Sequence, residues 1–573
     1  MALANDDSEL DRLADAIDVI VIGSGYGAGV CAARLAQAGA RVVVLERGRE
    51  FSVSNHQPFP ATPEELYDNV QIDGGLFGQG DRLGLYNFHV NRDLDVLVGC
   101  GLGGTSLINA NVAIHPDPRV FERARWPAEI RAEAAGDRLD GYYNRAREVL
   151  SPAQYPTTRM PTPRRLVAME AHGARRCDIN VHFDGTHNSV GVPQAPCMDC
   201  GDCVTGCNFQ AKKTLCFTYL PIAKSFGAKI FVQCDVHHIE HARDGRWEVH
   251  YQRVVTGREP VQADRKLTAR TVIVGAGVLG SVGILLRSRD LGLPLSANLG
   301  GRLSGNGDAL AFAYNCDHVL DSAASGVTLD GKSPVGATIL GVIDRRNTPN
   351  LDDGIIIEEG AFPSGMARLV RVLIQVVAGY SGRETQHGFL HWFRERLAEG
   401  RDLLGDTREG ALNRTLLFVL MGHDGADGVI ELDHRGRPTV RWPELHTRGV
   451  FAAENELARA IAGSLGGMFV RNPLDTPLFL NHMLTVHPLG GCPMADDSVY
   501  GVVDHAGRAF RDDGKVHSGL YVADASVIPT SLGVNPLWTI SAFAERIAEH
   551  AVTDLRLQPC VSPRLAPRVA IQP

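Results

Sequence analysis

Residues 18–28, DVIVIGSGYGA, run from a buried-type strand directly into the turn pattern G-x-G-x-x-A. A helical stretch, Val30 to Ala38, and a second strand, Arg41 to Glu46, follow. This order is that of a βαβ unit in which glycines let the backbone approach a pyrophosphate and the helix N-terminus offers free N–H groups. Glu46 stands roughly 20 residues after the turn, where an acid binds a ribose hydroxyl. The segment therefore predicts a dinucleotide site rather than a purely structural turn.

Length and composition limit what the other motifs can mean. The 573 residues exceed what one hydrophobic core organises, so we expect at least two domains. Apolar residues make up 44% of the chain and charged residues 21%, which is typical of a globular protein. The formal net charge of −9 provides no basic stripe and argues against nucleic-acid binding.

Targeting signals are not recognisable in the sequence. The acidic first residues lack the basic–apolar–small order of a signal peptide, and no run of about 18 apolar residues indicates a spanning helix. The twelve cysteines are then expected to be thiols or ligands rather than disulfides. We therefore expect a cytoplasmic protein.

Further segments extend this picture. The many glycines of 99–109 favour backbone that lies against a flat or extended ligand over a flexible loop. Residues 271–286 repeat the strand–glycine–helix order, and we interpret them as part of the same sheet rather than as a second nucleotide site. Residues 51–95 predict long surface connections because they are rich in Gly, Pro, Asn and Asp. Residues 128–150 predict one helix.

Residues 364–404 predict two apolar helices. The first contains Leu369 to Val377 on a wide apolar face, and the second contains Phe389 to Leu397. A buried helix pair in a cap domain is the interpretation we favour. The alternative is an apolar lid that touches a membrane surface transiently while a hydrophobic substrate enters.

Four cysteines, Cys197, Cys200, Cys203 and Cys207, follow the spacing C-x2-C-x2-C-x3-C. This is the spacing of bacterial iron–sulfur ferredoxins, although Asn208 stands where those proteins have proline and no second run exists. A four-cysteine zinc site is less natural, because such sites pair two separate C-x2-C knuckles. The spacing favours an iron–sulfur cluster and leaves zinc and no metal open.

Four longer blocks are VIGSGYGAGV (21–30), GCGLGGTSLINANV (99–112), TVHPLGGCPM (485–494) and GLYVADASVIPTSLGVNPLWTISAFAERIA (519–548). Three shorter ones are GNGD (305–308), IEEGAFP (357–363) and MGHDGADG (421–428). Together, and in this order, they resemble the glucose–methanol–choline (GMC) oxidoreductases, and within them the cholesterol-oxidase-like branch. The similarity extends over nearly the whole chain.

The resemblance implies an α/β fold of mixed α+β character, in which distant segments assemble one Rossmann-type FAD-binding domain under a sheet-and-helix substrate domain. We expect the discontinuous FAD-binding domain to comprise residues 14–125, 205–320 and 477–556. The substrate-binding cap would comprise residues 126–204 and 321–476. Residues 557–573 would form a loosely ordered tail.

The resemblance also implies roles for individual residues around FAD. The pyrophosphate would be held by Gly23, Gly25, Tyr26 and Gly27, and the adenosine ribose by Glu46. Val236, in a strand from Lys229 to Val236, would meet the adenine through its backbone. The isoalloxazine would be lined by Thr105, Asn109, Ala110 and Val112, and the ribityl chain and flavin ring by Asp524, Ala525, Asn535 and Leu537. No histidine lies in the 99–112 block, where some relatives attach flavin covalently, so we expect non-covalent FAD.

Three catalytic residues are implied in the same way. His487 in TVHPLGG is similar to the family's active-site histidine, and Asn535 in GVNP to its hydrogen-bonding partner. Histidine suits the task because its pKa lies near the working pH. Glu358 matches the glutamate that serves as base for double-bond isomerisation in cholesterol oxidases, although Glu359 adjoins it. The alternative for Glu358 is a solvent-exposed acid at a strand end.

The sequence thus predicts an FAD-dependent alcohol oxidoreductase whose substrate is a hydrophobic alcohol, with a 3β-hydroxysterol such as cholesterol favoured. Double-bond isomerisation would follow if Glu358 is a base. Oxygen or a protein or quinone acceptor would take the electrons. One alternative is a dehydrogenase of a long-chain or terpenoid alcohol that passes electrons through an iron–sulfur cluster. Another, of a different class, is an electron-transfer flavoprotein module.

Overall fold

The computed structural model of the chain describes residues 2–10, 13, 17–53, 57–74, 79–254, 264–326, 334–381, 410–472, 474–475 and 482–566. Within these ranges, none of the helices combines the length and the apolar character that crossing a bilayer requires. The expected second apolar helix, Phe389 to Leu397, lies outside the described residues.

The helices of the described residues are α1 (Asp7–Leu10), α2 (Tyr26–Gln37), α3 (Pro63–Asp68), α4 (Ala128–Ala135), α5 (Arg138–Leu150), α6 (Arg164–Glu170), α7 (Tyr219–Ser225), α8 (Val278–Asp290), α9 (Ala367–Ser381), α10 (Gly449–Ser464) and α11 (Leu537–Asp554). The first strands are β1 (Val19–Ile22), β2 (Val42–Leu45), β3 (Val70–Gly74), β4 (Gln79–Gly80), β5 (Tyr86–Val90), β6 (Leu94–Gly99), β7 (Arg175–Arg176), β8 (Lys229–Phe231), β9 (Cys234–His241), β10 (Trp247–Arg253) and β11 (Arg265–Ala269). The remaining strands are β12 (Thr271–Val274), β13 (Ala309–Tyr314), β14 (Gly341–Arg345), β15 (Ile355–Gly360), β16 (Leu416–Met421), β17 (Val429–Leu432), β18 (Pro438–Arg441), β19 (Met468–Arg471), β20 (Met483–Thr485), β21 (Arg508–Phe510) and β22 (Val516–Val522).

The central feature is a six-stranded sheet with the order β21-β22-β12-β1-β2-β8. All its pairs are parallel except β21 with β22. The four residues of β1 and of β2 are buried without exception, as expected for strands that are covered on both faces. Helix α2 packs on this sheet and against α11. This confirms the predicted α/β class and the βαβ unit.

A second six-stranded sheet has the order β19-β13-β16-β15-β14-β7. The pairings of its central strands are antiparallel, and α10 packs against β13. β13 begins directly after the GNGD turn, and α8 and this turn connect it to β12 of the parallel sheet. The remaining sheets are β11-β10-β9, β17-β18 and β20-β6-β5-β3-β4.

The strand–helix segment of 271–286 lies in the same sheet as β1, as predicted, because β12 pairs with β1 along four residues. Three other predictions were wrong in detail. Residues 51–95 do not form only surface connections, since α3, β3, β4, β5 and the first two residues of β6 lie there. The predicted helix over 128–150 is broken at Gly136 into α4 and α5, and the predicted strand over 229–236 is interrupted between Phe231 and Cys234.

The expected division into an FAD-binding domain and a cap stays a prediction. All strands of the parallel sheet lie within the segments expected for the FAD-binding domain. β13 begins within one of those segments, yet it pairs with β16 and β19, which come from segments expected for the cap. The chain therefore passes from one sheet to the other near residue 308.

Candidate active site

The glycines of the first turn have two different surroundings. A Cβ atom on Gly27 would lie 1.5 Å from the carbonyl oxygen of Ala523, so only glycine lets α2 approach the end of β22 this closely. A Cβ on Gly25 would meet no atom of the described residues within 4 Å. Gly25 is also the N-cap of α2, and no side chain of the described residues caps it. The turn therefore leaves space and N–H groups at a helix N-terminus, as an anion site needs.

Glu46 lies at the end of β2 with its carboxylate buried. It accepts hydrogen bonds from the Ser24 hydroxyl at 2.6 Å and from the Gly48 N–H at 2.7 Å. Burial raises the pKa of Glu46. Its backbone carbonyl accepts from the N–H of Cys234, at the start of β9. Val236, two residues further along, is thereby held near the same edge of the sheet as Glu46.

The glycine-rich block of 99–112 packs against the first turn. The hydroxyl of Thr105 accepts from the Gly99 N–H at 3.1 Å, and the amide of Asn109 donates to the Tyr26 hydroxyl at 2.9 Å. Burial raises the pKa of Tyr26 to about 12, so this hydroxyl is neutral. Val112 is buried and Ala110 is half-buried. The four residues predicted to line the flavin therefore belong to the block that packs against the first turn.

Several buried amide atoms in this region lack partners. Oδ1 of Asn109 and both polar side-chain atoms of Asn111 and Asn180 have no hydrogen bond within the described part of the chain. The N–H of Asn180 donates to the carbonyl of Asn111, so these residues are neighbours. An unpartnered buried polar group costs about 1–3 kcal/mol. A flavin ring, with its nitrogen and carbonyl groups, would supply the missing partners, and the residues present therefore fit FAD.

The carboxylate of Asp524 joins the C-terminal block to the turn after β12. It accepts from the N–H of Gly277, and from the hydroxyls of Ser281 and Ser526. Burial raises the pKa of Asp524. Because its oxygens are already engaged, a contact between this residue and the ribityl chain would involve its backbone. The carbonyl of Ala525 accepts from the Gly490 N–H, which brings the HPLGG segment to the same place.

His487 is held by the carboxylate of Asp308. The Nδ1 atom of His487 lies 2.9 Å from one oxygen of Asp308, and the other oxygen accepts from the N–H groups of Val486 and His487 at 2.9 and 3.0 Å. Burial alone would lower the pKa of His487, but the charge and hydrogen bond of Asp308, and the charge of Glu358, raise it above its ordinary value. Asp308 thus fixes both the position of the ring and its affinity for a proton.

Glu358 and Asn535 form the second part of the site. The Asn535 amide donates to Oε2 of Glu358 at 3.2 Å, and both side chains are buried. Oε1 of Glu358 and Oδ1 of Asn535 have no partner among the described residues. Burial raises the pKa of Glu358 to about 8, while Asn535 and His487 oppose the shift. The alternative of a solvent-exposed acid is wrong, because Glu358 is 0% exposed within β15.

The neighbouring Glu359 points to the opposite face of β15, since side chains alternate along a strand. It forms an ion pair with Arg165, and its other oxygen accepts from the N–H groups of Leu340 and Gly341. Glu359 is therefore a structural acid, and only Glu358 shares surroundings with His487 and Asn535.

The GNGD turn contains two residues that the sequence interpretation did not assign. Asp308 holds His487, as described above. The amide oxygen of Asn306 accepts from the N–H groups of Leu532 and Gly533, and its nitrogen donates to the carbonyl of Val534 at 2.8 Å. Asn306 thus fixes the loop that ends at Asn535. The resemblance of GNGD was noted, but the sequence contains no signal for which partners these side chains take.

The four cysteines line one cavity of about 80 Å³. No three of their sulfur atoms lie within 4.8 Å of one another, whereas sulfurs on a single tetrahedral zinc ion would be about 3.8 Å apart. Burial raises the pKa values of Cys197, Cys200 and Cys207. The Nζ atom of Lys212 donates to the carbonyl of Cys203 at 2.9 Å, and to those of Leu107 and Asn109 at 3.0 and 2.6 Å. The cysteine segment is thereby tied to the glycine-rich block.

Comparison with known proteins identifies one family and several alcohol oxidases to which the chain is similar. The profile of the GMC oxidoreductase family matches the chain in two parts, residues 22–303 and residues 474–544. A cholesterol oxidase of Mycobacterium tuberculosis (strain ATCC 25618 / H37Rv) is 30% identical over 569 residues, which cover 93% of this chain and 90% of that protein. A long-chain-alcohol oxidase of Arabidopsis thaliana is 25% identical, with coverage of 96% of this chain and 70% of that protein.

Among solved structures, a fungal aryl-alcohol oxidase has a similar fold, with a TM-score of 0.57 at 14% sequence identity. The match covers 95% of this chain and 100% of that chain. At this identity the likeness concerns the fold alone.

Proposed function

This chain belongs to the GMC oxidoreductase family and is an FAD-dependent alcohol oxidoreductase, and from that premise we propose that it oxidises a 3β-hydroxysterol such as cholesterol. The observation that carries the proposal is the buried pair of Glu358 and Asn535 beside His487 and Asp308. The cholesterol oxidase similarity over 93% of the chain supports the same substrate class.

His487 is the group that receives the substrate's hydroxyl proton. Asp308 engages Nδ1, which leaves Nε2 as the nitrogen available to the hydroxyl. The carboxylate of Asp308 also stabilises the imidazolium that forms when the proton arrives. Asn535, whose Oδ1 is buried and unpartnered in the described part of the chain, would help to orient the same hydroxyl.

Residues of both glycine segments would hold FAD. Gly25 leaves room for the pyrophosphate at the start of α2, while Gly23 and Gly27 let the turn pack closely against Gly275 and Ala523. Tyr26 would adjoin the pyrophosphate, and Glu46 would bind the ribose. The unpartnered Oδ1 of Asn109 and the unpartnered amides of Asn111 and Asn180 would contact the ring. When bound, FAD accepts the hydride of the alcohol carbon.

Glu358 would catalyse double-bond isomerisation after the oxidation. Its carboxyl group, with a pKa raised by burial to about 8, can exchange a proton near neutral pH. Because one oxygen is held by Asn535 and the other is unpartnered among the described residues, the second oxygen is the one that would move the proton between two carbons of the steroid.

The test of the proposed substrate is the visible spectrum of anaerobically purified protein before and after addition of cholesterol. We expect the flavin band to bleach, and readmitted air then distinguishes an oxidase, which recovers the band, from a dehydrogenase, which does not. A band that stays unchanged with cholesterol but bleaches with a long-chain alcohol would contradict the sterol proposal and leave the family assignment intact.

A long-chain or terpenoid alcohol with electron transfer through an iron–sulfur cluster is the second candidate. The ferredoxin-like spacing, the shared cavity of the four cysteines and the link from Lys212 to the flavin block support it. Iron and zinc analysis of anaerobically purified protein tests this candidate. We expect iron with acid-labile sulfide, and protein that contains neither metal would contradict both the cluster and the zinc alternative.

We also propose that helix α9 touches a membrane surface transiently while a hydrophobic substrate enters. Leu369, Val372 and Leu373 of this helix are exposed, and apolar side chains on one helix can insert at the lipid interface. The variant Leu369→Ser/Val372→Ser should reduce co-sedimentation with liposomes, whereas Val167→Ser, an exposed apolar position on α6, should not. Absence of binding by the unaltered protein would contradict this proposal.

A further inference from the structure

Two histidines and two glutamates share the outer face of the β9–β10 ribbon. In the antiparallel register His238 lies directly opposite His250, and Glu240 directly opposite Glu248. The intervening residues Ile239 and Val249 are buried on the other face. The four polar residues therefore form a rectangle on the side of the ribbon opposite Ile239 and Val249.

The ligand atoms of three of these residues converge. One atom from each of His238, Glu240 and His250 can be chosen so that all lie within 4.8 Å of one another. Nε2 of His238 is 3.2 Å from one oxygen of Glu240, and Nε2 of His250 is 4.0 Å from the other. The two imidazole rings are stacked, with centroids 4.3 Å apart and planes inclined by 12°.

The surroundings of His250 match those of a metal-binding histidine. Its Nε2 is buried and has no hydrogen-bond partner among the described residues. On the other side of the ring, an oxygen of Asp264 lies 3.8 Å from Nδ1. Histidine ligands commonly present their second nitrogen to a carboxylate, which orients the ring and raises the basicity of the coordinating nitrogen.

A simple ion pair explains this arrangement less well than a bound cation does. Two stacked imidazoles with centroids 4.3 Å apart cannot both be protonated without repulsion. The acid opposite, Glu248, is already paired with Lys266 at 2.9 Å. One divalent cation would use the unpartnered Nε2 of His250 and would take the place of the proton between His238 and Glu240.

We propose that His238, Glu240 and His250 bind one divalent transition-metal ion, of which zinc is the best match. Two imidazole nitrogens and a carboxylate are a common zinc ligand set, and the fourth position is left to water. The ion joins β9 to β10 and stabilises the three-stranded sheet that carries Val236. This site is independent of the proposed alcohol oxidation and of the four cysteines.

Zinc binding to the purified holoenzyme tests the proposal. Isothermal titration with Zn²⁺ should show one ion fewer per chain for His238→Gln and for His250→Gln than for the unaltered protein, and Glu240→Gln should bind that ion at least about tenfold more weakly. Because the variants and the unaltered protein have the same cysteines, any zinc bound by cysteines cancels when the two stoichiometries are subtracted. His434→Gln, in an exposed turn, is the matched control and should behave as the unaltered protein.

Thermal unfolding gives a second readout. Zn²⁺ should raise the melting temperature of the unaltered protein and of His434→Gln, but raise that of the two histidine variants less. The flavin absorbance of each variant shows that it is folded. Equal zinc stoichiometry and affinity in the unaltered protein and in both histidine variants, or a stabilisation that is the same in all of them, would overturn the proposal.

Discussion

At the scale of residues, the hydrogen bond between Asp308 and His487 controls a proton. The carboxylate raises the pKa of His487 against the opposite effect of burial. In Asp308→Asn the charge is absent, so the pKa of His487 falls and the acidic limb of kcat/KM moves to lower pH. At the same time kcat should drop about 10²-fold or more, because the imidazolium is less stabilised. A pH profile that keeps the position of its acidic limb would contradict the role of Asp308.

Glu358 gives a separate pH prediction. Its pKa, about 8, means that the carboxylate form increases as the pH rises through that value. Isomerisation of an added 5-en-3-one steroid should therefore accelerate with pH through about 8 and then level off. Glu358→Gln should slow this step about 10²–10⁴-fold, measured by enone absorbance, while Glu359→Gln is unsuitable as a control because it unpairs the buried Arg165. Unchanged enone formation in Glu358→Gln would exclude Glu358 as the base.

The sequence predicted the positions of His487, Asn535 and Glu358 because each lies in a recognisable block. It did not predict that Asp308 holds His487 or that Asn306 fixes the loop before Asn535. These contacts join residues about 180 and 230 positions apart, as Asp308 with His487 and Asn306 with Leu532 and Val534. Nothing in local spacing indicates which acid faces which histidine. Likewise, only the strand register separates Glu358 from Glu359.

At the scale of elements, α2 and its turn distinguish a packing glycine from a ligand-contacting one. Gly25→Ala adds a methyl group that meets no described protein atom within 4 Å, so the apoprotein should keep its melting temperature. The holoenzyme should nevertheless lose FAD at least about tenfold more readily if the pyrophosphate lies against this residue, as measured by flavin release. Full flavin affinity in Gly25→Ala would contradict the assignment.

Gly27→Ala is the contrasting variant. Its methyl group would clash with the Ala523 carbonyl, so α2 must shift and the apoprotein itself should be destabilised by more than about 1–3 kcal/mol. Gly141→Ala, in α5 with no atom within 4 Å, is the matched control and should not be destabilised. A Gly27→Ala apoprotein with unchanged stability in urea would show that the close packing is not required.

The elements themselves were predictable to different degrees. β1 and β2 are runs of four apolar residues and α2 is mostly apolar, and the structure confirms the three elements within a few residues of the expected bounds. The prediction of connections over residues 51–95 rests on their content of Gly, Pro, Asn and Asp, yet the fold buries polar residues of this segment such as Asn87 and His89 in β5. Polar residues buried by long-range pairing, such as that of β6 with β20, cannot be recognised from local composition.

At the scale of the whole molecule, three distant segments meet where FAD is proposed to bind. β1, β12 and β22 are adjacent in one sheet although they begin at residues 19, 271 and 516. A ligand that contacts all three binds the folded state alone. Saturation with FAD at a hundredfold excess over Kd should therefore stabilise the protein by about 2.7 kcal/mol. Scanning calorimetry of deflavinated and reconstituted protein measures this, and equal melting temperatures would contradict a site that spans the three segments.

The GNGD turn limits the insertions and deletions that the chain can accept at residues 305–308. Asn306 and Asp308 are separated by one residue, yet the first fixes the loop before Asn535 and the second fixes His487. An insertion or deletion of one residue between them would change their spacing, so Asn306 and Asp308 could no longer both reach their partners. The length of this one turn therefore sets the position of His487 and that of the loop before Asn535 at the same time.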